Sequence, residues 1–178
     1  MKNIRNPIGI ILVLLALLCN FGIAQAFAGT PTPNASPIVA RVIYSEASPI
    51  CTAQERQLVA SVIYNRIGHP GFGNCKTAEA VVKAKGQFNC IGDKGNGNWL
   101  KTASPNLSDT AWKQSLSLAS GFRPITSAVY YHDKSIAKPR AWDNKYWRTV
   151  KVAETSHFIF YAVEAKPKLI RGKSLAKL

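Results

Sequence analysis

The chain has 178 residues, with 23 Lys and Arg against 9 Asp and Glu, a formal charge of +14. Apolar residues make up 47% of it, with four Trp and seven Phe, which excludes a disordered chain and supplies material for a core. At about 150 residues per domain the length excludes a multi-domain enzyme, and a single domain is expected.

Lys2 and Arg5 precede an apolar run over residues 10–18, and Ala24-Gln25-Ala26 and Ala26-Phe27-Ala28 are overlapping cleavage patterns of small residues. Residues 1–28 therefore read as a secretory signal peptide, whose apolar run is too short for a comfortable membrane span. Cys19 follows Leu18 rather than a small residue, which argues against a lipoprotein signal. Its removal takes away Lys2 and Arg5 and leaves a charge of about +12. The expectation is export to the periplasm or the exterior, no stable membrane anchor, and an anionic partner there: wall polymer, lipid or nucleic acid.

Residues 29–37 hold three prolines among Thr, Asn and Ser and read as a flexible leader to a domain over 38–164. The spacing predicts a helix over 38–47, with Val39, Val42, Ile43 and Glu46 on one face. A second helix opens with the capping box Thr52-x-x-Glu55, carries Leu58, Val59, Val62 and Ile63 as its stripe, and stops at Gly68. Thr77 caps a short helix to Ala84, residues 86–90 form a loop, and 92–98 are turn-rich. Ser108 caps a helix over 109–120, with Trp112, Leu116 and Ala119 on one side.

Three β-branched and aromatic segments, 127–132, 149–153 and 157–163, then predict short strands. Helices followed by a small antiparallel sheet make an α+β fold. In the first strand Val129 and Tyr131 share one face and Tyr130 and His132 the other, so one pair alone is expected to face a cleft. His157, among Phe158, Ile159 and Phe160, reads as a hydrogen-bonded structural histidine. Residues 165–178 form a basic tail with Lys166, Lys168, Arg171, Lys173 and Lys177.

Glu46 is the residue most suited to chemistry. It lies on an apolar stripe in the last turn of its helix, where burial and the negative end of the helix dipole both disfavour an ionised carboxylate. A protonated carboxyl can donate to a glycosidic oxygen. Gln87, Phe88, Tyr131, His132 and Trp142 supply the aromatic faces, amide and imidazole that bind sugars.

Three cysteines follow the leader. In an oxidising compartment two can pair, and Cys75 with Cys90 is the favoured pair, stabilising by about 3 kcal/mol through loop closure. His69, His132 and His157 are far apart in sequence and no C-x-x-C spacing occurs, so no metal or other cofactor is expected.

Tyr44-Ser45-Glu46-Ala47, the segment Val59-Ala60-Ser61-Val62-Ile63-Tyr64-Asn65-Arg66, His69-Pro70, Gly86-Gln87-Phe88-Asn89-Cys90, Ala128-Val129-Tyr130-Tyr131-His132, Pro139, Trp142 and the run from His157-Phe158 to Tyr161 resemble, in order and spacing, the SleB-type cell-wall hydrolases. The resemblance covers about residues 38–163. It implies a lysozyme-like domain that cleaves peptidoglycan between N-acetylmuramic acid and N-acetylglucosamine, with Glu46 at the position of the family's catalytic glutamate. It further implies a lytic transglycosylase, in which one Glu acts as acid and then base and leaves a 1,6-anhydro sugar. Ser48-Pro49 stands where the family often has Arg-Gly, Asn89 where Ser is usual, and residues 92–105 have no clear counterpart.

The acids bear on mechanism. Two-carboxylate hydrolysis needs a second acid about 5–5.5 Å away for retention or about 6.5–9.5 Å for inversion. Glu55 belongs to the capping box, and Glu79 and Asp109 to first turns. Asp93, Asp133, Asp143, Glu154 and Glu164 remain, with Asp133 and Asp143 first in line. Two other readings stand beside this one. Cys51, at a helix start where the dipole lowers a thiol pKa, could pair with His132 or His157 as in NlpC-type wall peptidases. A non-catalytic wall-binding module is the other. No nucleic-acid motif is present, so no nucleic-acid partner is expected, and the chain is read as a monomer.

Overall fold

The computed structural model describes residues 34–166. Residues 1–28, read above as a signal peptide, the expected leader up to residue 33 and the tail beyond residue 166 lie outside the described residues. Five α-helices come first: α1 Pro37–Glu46, α2 Ala53–Asn65, α3 Ala78–Lys83, α4 Gly97–Lys101 and α5 Thr110–Ala119. Three strands follow, β1 Tyr130–Asp133, β2 Trp147–Glu154 and β3 Phe158–Ala165, with 3-10 turns at Pro70–Phe72 and Arg140–Trp142. The sheet is antiparallel in the order β1-β3-β2. This is the α+β arrangement expected, with β3 central and both other strands on edges.

Helix α1 is the axis of the molecule. Val39, Ala40, Val42 and Ile43 are wholly buried, and α1 packs against α2, α3, α4 and α5. A helix apolar nearly all round must be enclosed on all sides. Pro37 starts it, needing no donor there. The two carbonyls just past its last residue are held by Arg56 of α2, which donates from Nη1 to Ser48 O at 3.2 Å and Ala47 O at 3.5 Å. The end of α1 that carries Glu46 is thereby fixed.

Helix α2 joins the helices to the sheet. Its capping box forms as expected: the Glu55 N–H donates to the Thr52 hydroxyl and the Thr52 N–H to Glu55 Oε2. Glu55 also ties in β3, because Oε1 accepts from the His157 backbone N–H at 3.2 Å and from Nδ1 at 2.9 Å. At the other end Asn65 Nδ2 donates to Thr126 O and Ala128 O, and Arg66 Nε to Val129 O, at 2.7–2.9 Å. These bonds dock the chain entering β1. One sheet face, through Phe158 and Phe160, packs on Leu58, Val59 and Val62 of α2.

Several boundaries differ from the sequence reading. The cap of α5 is Asp109 rather than Ser108: its carboxylate accepts from Ala111 N and Trp112 N and also from the Tyr44 hydroxyl. Residues 97–101 form α4, where only turns were expected. Asn96 caps it and Trp99 buries itself against the core, so tertiary packing outweighs the local glycines. The register of β2 on β3 shifts between Lys151 and Ala153, a bulge at Val152.

The Cys75–Cys90 disulfide is not formed. All three described cysteines are free thiols. Cys75 Sγ is directed to Phe72 O at 3.5 Å, and Cys90 is buried in the helical core beside the charge of Glu46, which with burial holds its thiol protonated. The two side chains are thus committed to different neighbours, and sequence separation alone could not foresee it.

Candidate active site

A cleft of about 580 Å³ lies between the C-terminal end of α1, the loop 86–89 and the edge strand β1. Its lining includes Glu46, Gln87, Phe88, Tyr131, His132 and Trp142, so all six residues selected from sequence meet in one place. Arg66, Phe72, Tyr130 and Asp133 line it as well. Gly86, at φ +75°, turns the loop so that Gln87 and Phe88 face the cleft, a backbone geometry suited to glycine.

Glu46 is half-buried. Tyr131 donates its hydroxyl to Glu46 Oε2 at 2.6 Å. Burial first, and the Glu46 charge second, push the Tyr131 phenol well above its ordinary value, so it remains a donor. The Cys90 thiol, raised by burial and by Glu46, likewise stays protonated beside the carboxylate. Tyr131 thus meets Glu46 directly, in addition to lining the cleft.

His132 is buried. Its Nδ1 lies 2.7 Å from the Asp133 carbonyl, which can only accept, so Nδ1 carries the proton and Nε2 accepts from the Tyr161 hydroxyl at 3.3 Å. Tyr130 stacks on Trp142 with centroids 4.6 Å apart, and His132 stacks on Tyr161. The expectation that only one face of β1 meets the cleft is corrected, since Tyr130, Tyr131 and His132 all line it. An edge strand allows this, because the cleft wraps round its open side.

Sequence reasoning passed over Arg66. It is 6% exposed, its Nη1 donates to both the backbone and side-chain oxygens of Gln87 at 3.2 Å, and its guanidinium lies against Phe72 and Phe88, 4.5 and 5.0 Å from the ring centroids. The signal was available: a cation directly after the apolar stripe of α2, inside the quoted motif.

Of the two acids placed first in line as partners for Glu46, Asp133 lines the cleft. Hydrogen bonds from Ser135 hold its carboxyl below the ordinary value. Asp143 is taken up by Lys138 and Thr149, which hold it well below the carboxylate range.

The Cys51 thiol is also a correction. Burial, with the Glu55 charge behind it, pushes it up to about 11, the opposite of the lowering expected from a helix start. A protonated thiol is a poor nucleophile. His157 gives Nδ1 to Glu55. Cys51, Glu55 and His157 could offer three metal-ligand atoms within 4.8 Å of one another. Yet both Glu55 oxygens already accept hydrogen bonds, Oε2 from Thr52 and Oε1 from His157, so its carboxylate is taken up within the fold.

The family model described as Cell Wall Hydrolase matches residues 52–161. The chain belongs to the cell wall hydrolase family. It is therefore a wall-degrading enzyme whose substrate is peptidoglycan. The matched stretch holds most of the cleft, and Glu46 lies just ahead of it. The fold is shared with the crystal structure of the catalytic domain of the Bacillus cereus SleB protein, at a TM-score of 0.51 and 20% identity, over 79% of this chain and 98% of that one. No curated protein matches in sequence. Among the described residues no helix is long and apolar enough to cross a membrane.

Proposed function

We propose that this cell wall hydrolase is a lytic transglycosylase, cleaving peptidoglycan strands between N-acetylmuramic acid and N-acetylglucosamine with Glu46 as its sole acid and base. Glu46 gives its proton to the glycosidic oxygen as the bond to C1 breaks. It then takes the proton of the muramyl 6-hydroxyl as O6 closes on C1, giving the 1,6-anhydro product without consuming water. The observation that carries this is the Tyr131 hydroxyl on Glu46 Oε2 at 2.6 Å, inside a cleft floored by sugar-sized aromatic faces. Gln87, Phe88, His132 and Trp142 line the path of the glycan. The leader pattern of residues 1–28 supports export, and the basic charge supports attraction to an anionic wall.

The second reading is a muramidase in which Asp133, the other carboxylate of the cleft named above, activates water. Mass spectrometry of the products from purified peptidoglycan separates the two. Anhydro-muropeptides from the native chain and none from Glu46→Gln are expected. Reducing-end muramic sugars would overturn the transglycosylase in favour of Asp133, and free stem peptides would overturn glycan cleavage altogether.

A further inference from the structure

The side-chain amide of Gln87 is held at one end only. Arg66 is buried and its guanidinium is fixed on two sides: Nε donates to Val129 O at 2.9 Å, and Nη1 lies 3.2 Å from both the backbone oxygen and Oε1 of Gln87. The rings of Phe72 and Phe88 flank the same guanidinium. A guanidinium has donors and no acceptor, so the end of the Gln87 amide turned to it must be the oxygen. The other end, Nε2, carries two N–H donors and makes no hydrogen bond among the described residues. Gln87 is half-buried, lines the cleft and follows Gly86, whose φ of +75° sets the loop. Both oxygens of Gln87 are thus engaged by Arg66, and what the side chain has left to offer the cleft is a pair of donors.

We propose that Gln87 is a specificity residue that donates from Nε2 to an acetamido carbonyl of the glycan, and that Arg66 is the positioning residue that keeps the amide in that orientation. The inference rests on the glycan-cleaving reading above and names the substrate group that the loop recognises. Hydroxyls both donate and accept, so they can meet either end of an amide, whereas a carbonyl can meet only the donor end. The acetyl methyl finds an apolar surface on Phe72 and Phe88, which line the same cleft. A de-N-acetylated sugar presents an ammonium there instead. That group has donors alone, so it leaves Nε2 without an acceptor and brings a second cation towards Arg66.

The test measures kcat/KM of the native chain on purified glycan strands, on the same strands de-N-acetylated, and on the latter re-acetylated, in mildly acidic buffer where the freed amine is an ammonium. A preference of about tenfold or more for acetylated strands is expected, restored by re-acetylation. Equal rates on acetylated and de-N-acetylated strands overturn the assignment. Should none of the samples be cleaved, the glycan-cleaving reading fails and this falls with it. Gln87→Glu keeps one oxygen for Arg66 and replaces the donors by an acceptor, so the preference is expected to vanish or invert. Gln87→Met removes the donors without adding charge, and the preference is expected to fall severalfold. Either variant, melting like the native chain yet keeping the full preference, overturns the role of Gln87. Arg66→Gln can meet either end of the Gln87 amide, so it too is expected to lower the preference severalfold. A folded Arg66→Gln that keeps it overturns the positioning role.

Discussion

Tyr131 reaches Glu46 from the edge strand, while Glu46 itself ends the most enclosed helix, so two parts of the molecule must be in register for their hydrogen bond at 2.6 Å. A hydrogen bond to a charged group contributes about 1.5–3 kcal/mol, equivalent to roughly ten- to a hundredfold in rate if it matters most at the transition state. Tyr131→Phe is expected to lower kcat on a soluble glycan fragment by that factor with KM changed less than about twofold. A variant with unchanged kcat would show that the carboxyl needs no such support. Glu46 was legible in the sequence because helical periodicity is local and places it on the stripe. Arg66 was not, because its burial depends on Phe72, Phe88 and Tyr130 from three separate segments, and a lone cation at a helix end reads as solvated. Cys90 was misread for a related reason: spacing says how far apart two thiols are along the chain, but not that one of them faces a carboxylate.

At the scale of elements, Glu55 fastens a helix start to a strand start. Burial alone would raise its carboxyl, but the bonds from Thr52, Thr155 and His157 outweigh it and bring the value from 4.5 down to about 2. A value depressed in the folded state gives stability that is fully present above the ordinary value and lost as pH falls towards the folded one. The window here runs from about pH 4.5 down to about 2, and the shift corresponds to about 3 kcal/mol. Glu55→Gln is expected to melt roughly 10 °C below the native chain at pH 7, with the gap closing towards pH 2 in calorimetry. A gap that does not change with pH would refute the carboxylate's part. This capping box was readable from Thr52 and Glu55 alone, as was the Thr77 cap of α3, because caps are short-range. Helix α4 was hidden by Gly97 and the asparagines around it. What orders it is Trp99, buried beneath the Arg41 guanidinium 3.9 Å from its ring, a long-range contact with no local signature.

For the whole molecule, the fold class follows from the order of patterns, helical periods first and strand alternation last, and the charge from a simple count. The excess of basic residues acts over distances comparable with the Debye length, about 10 Å at 0.1 M salt, so the attraction to an anionic wall proposed above would be screened as salt rises. Cleavage of whole sacculi is expected to slow severalfold between about 50 and 200 mM salt, while the rate on a short uncharged glycan stays within about twofold. Equal salt dependence on both substrates would place the effect in the cleft rather than on the surface.

The bulge at Val152 has a bearing on how such a protein survives crowding on a polymer. β2 is an outer strand, and an evenly spaced outer strand is a template on which another chain can add its own. The shift between Lys151 and Ala153 breaks that even row of donors and acceptors, and Arg148, Lys151 and Glu154 put charges along it. Copies that meet along the β2 edge therefore find an interrupted row that does not propagate a shared sheet, so crowding does not turn this edge into a site of fibre growth.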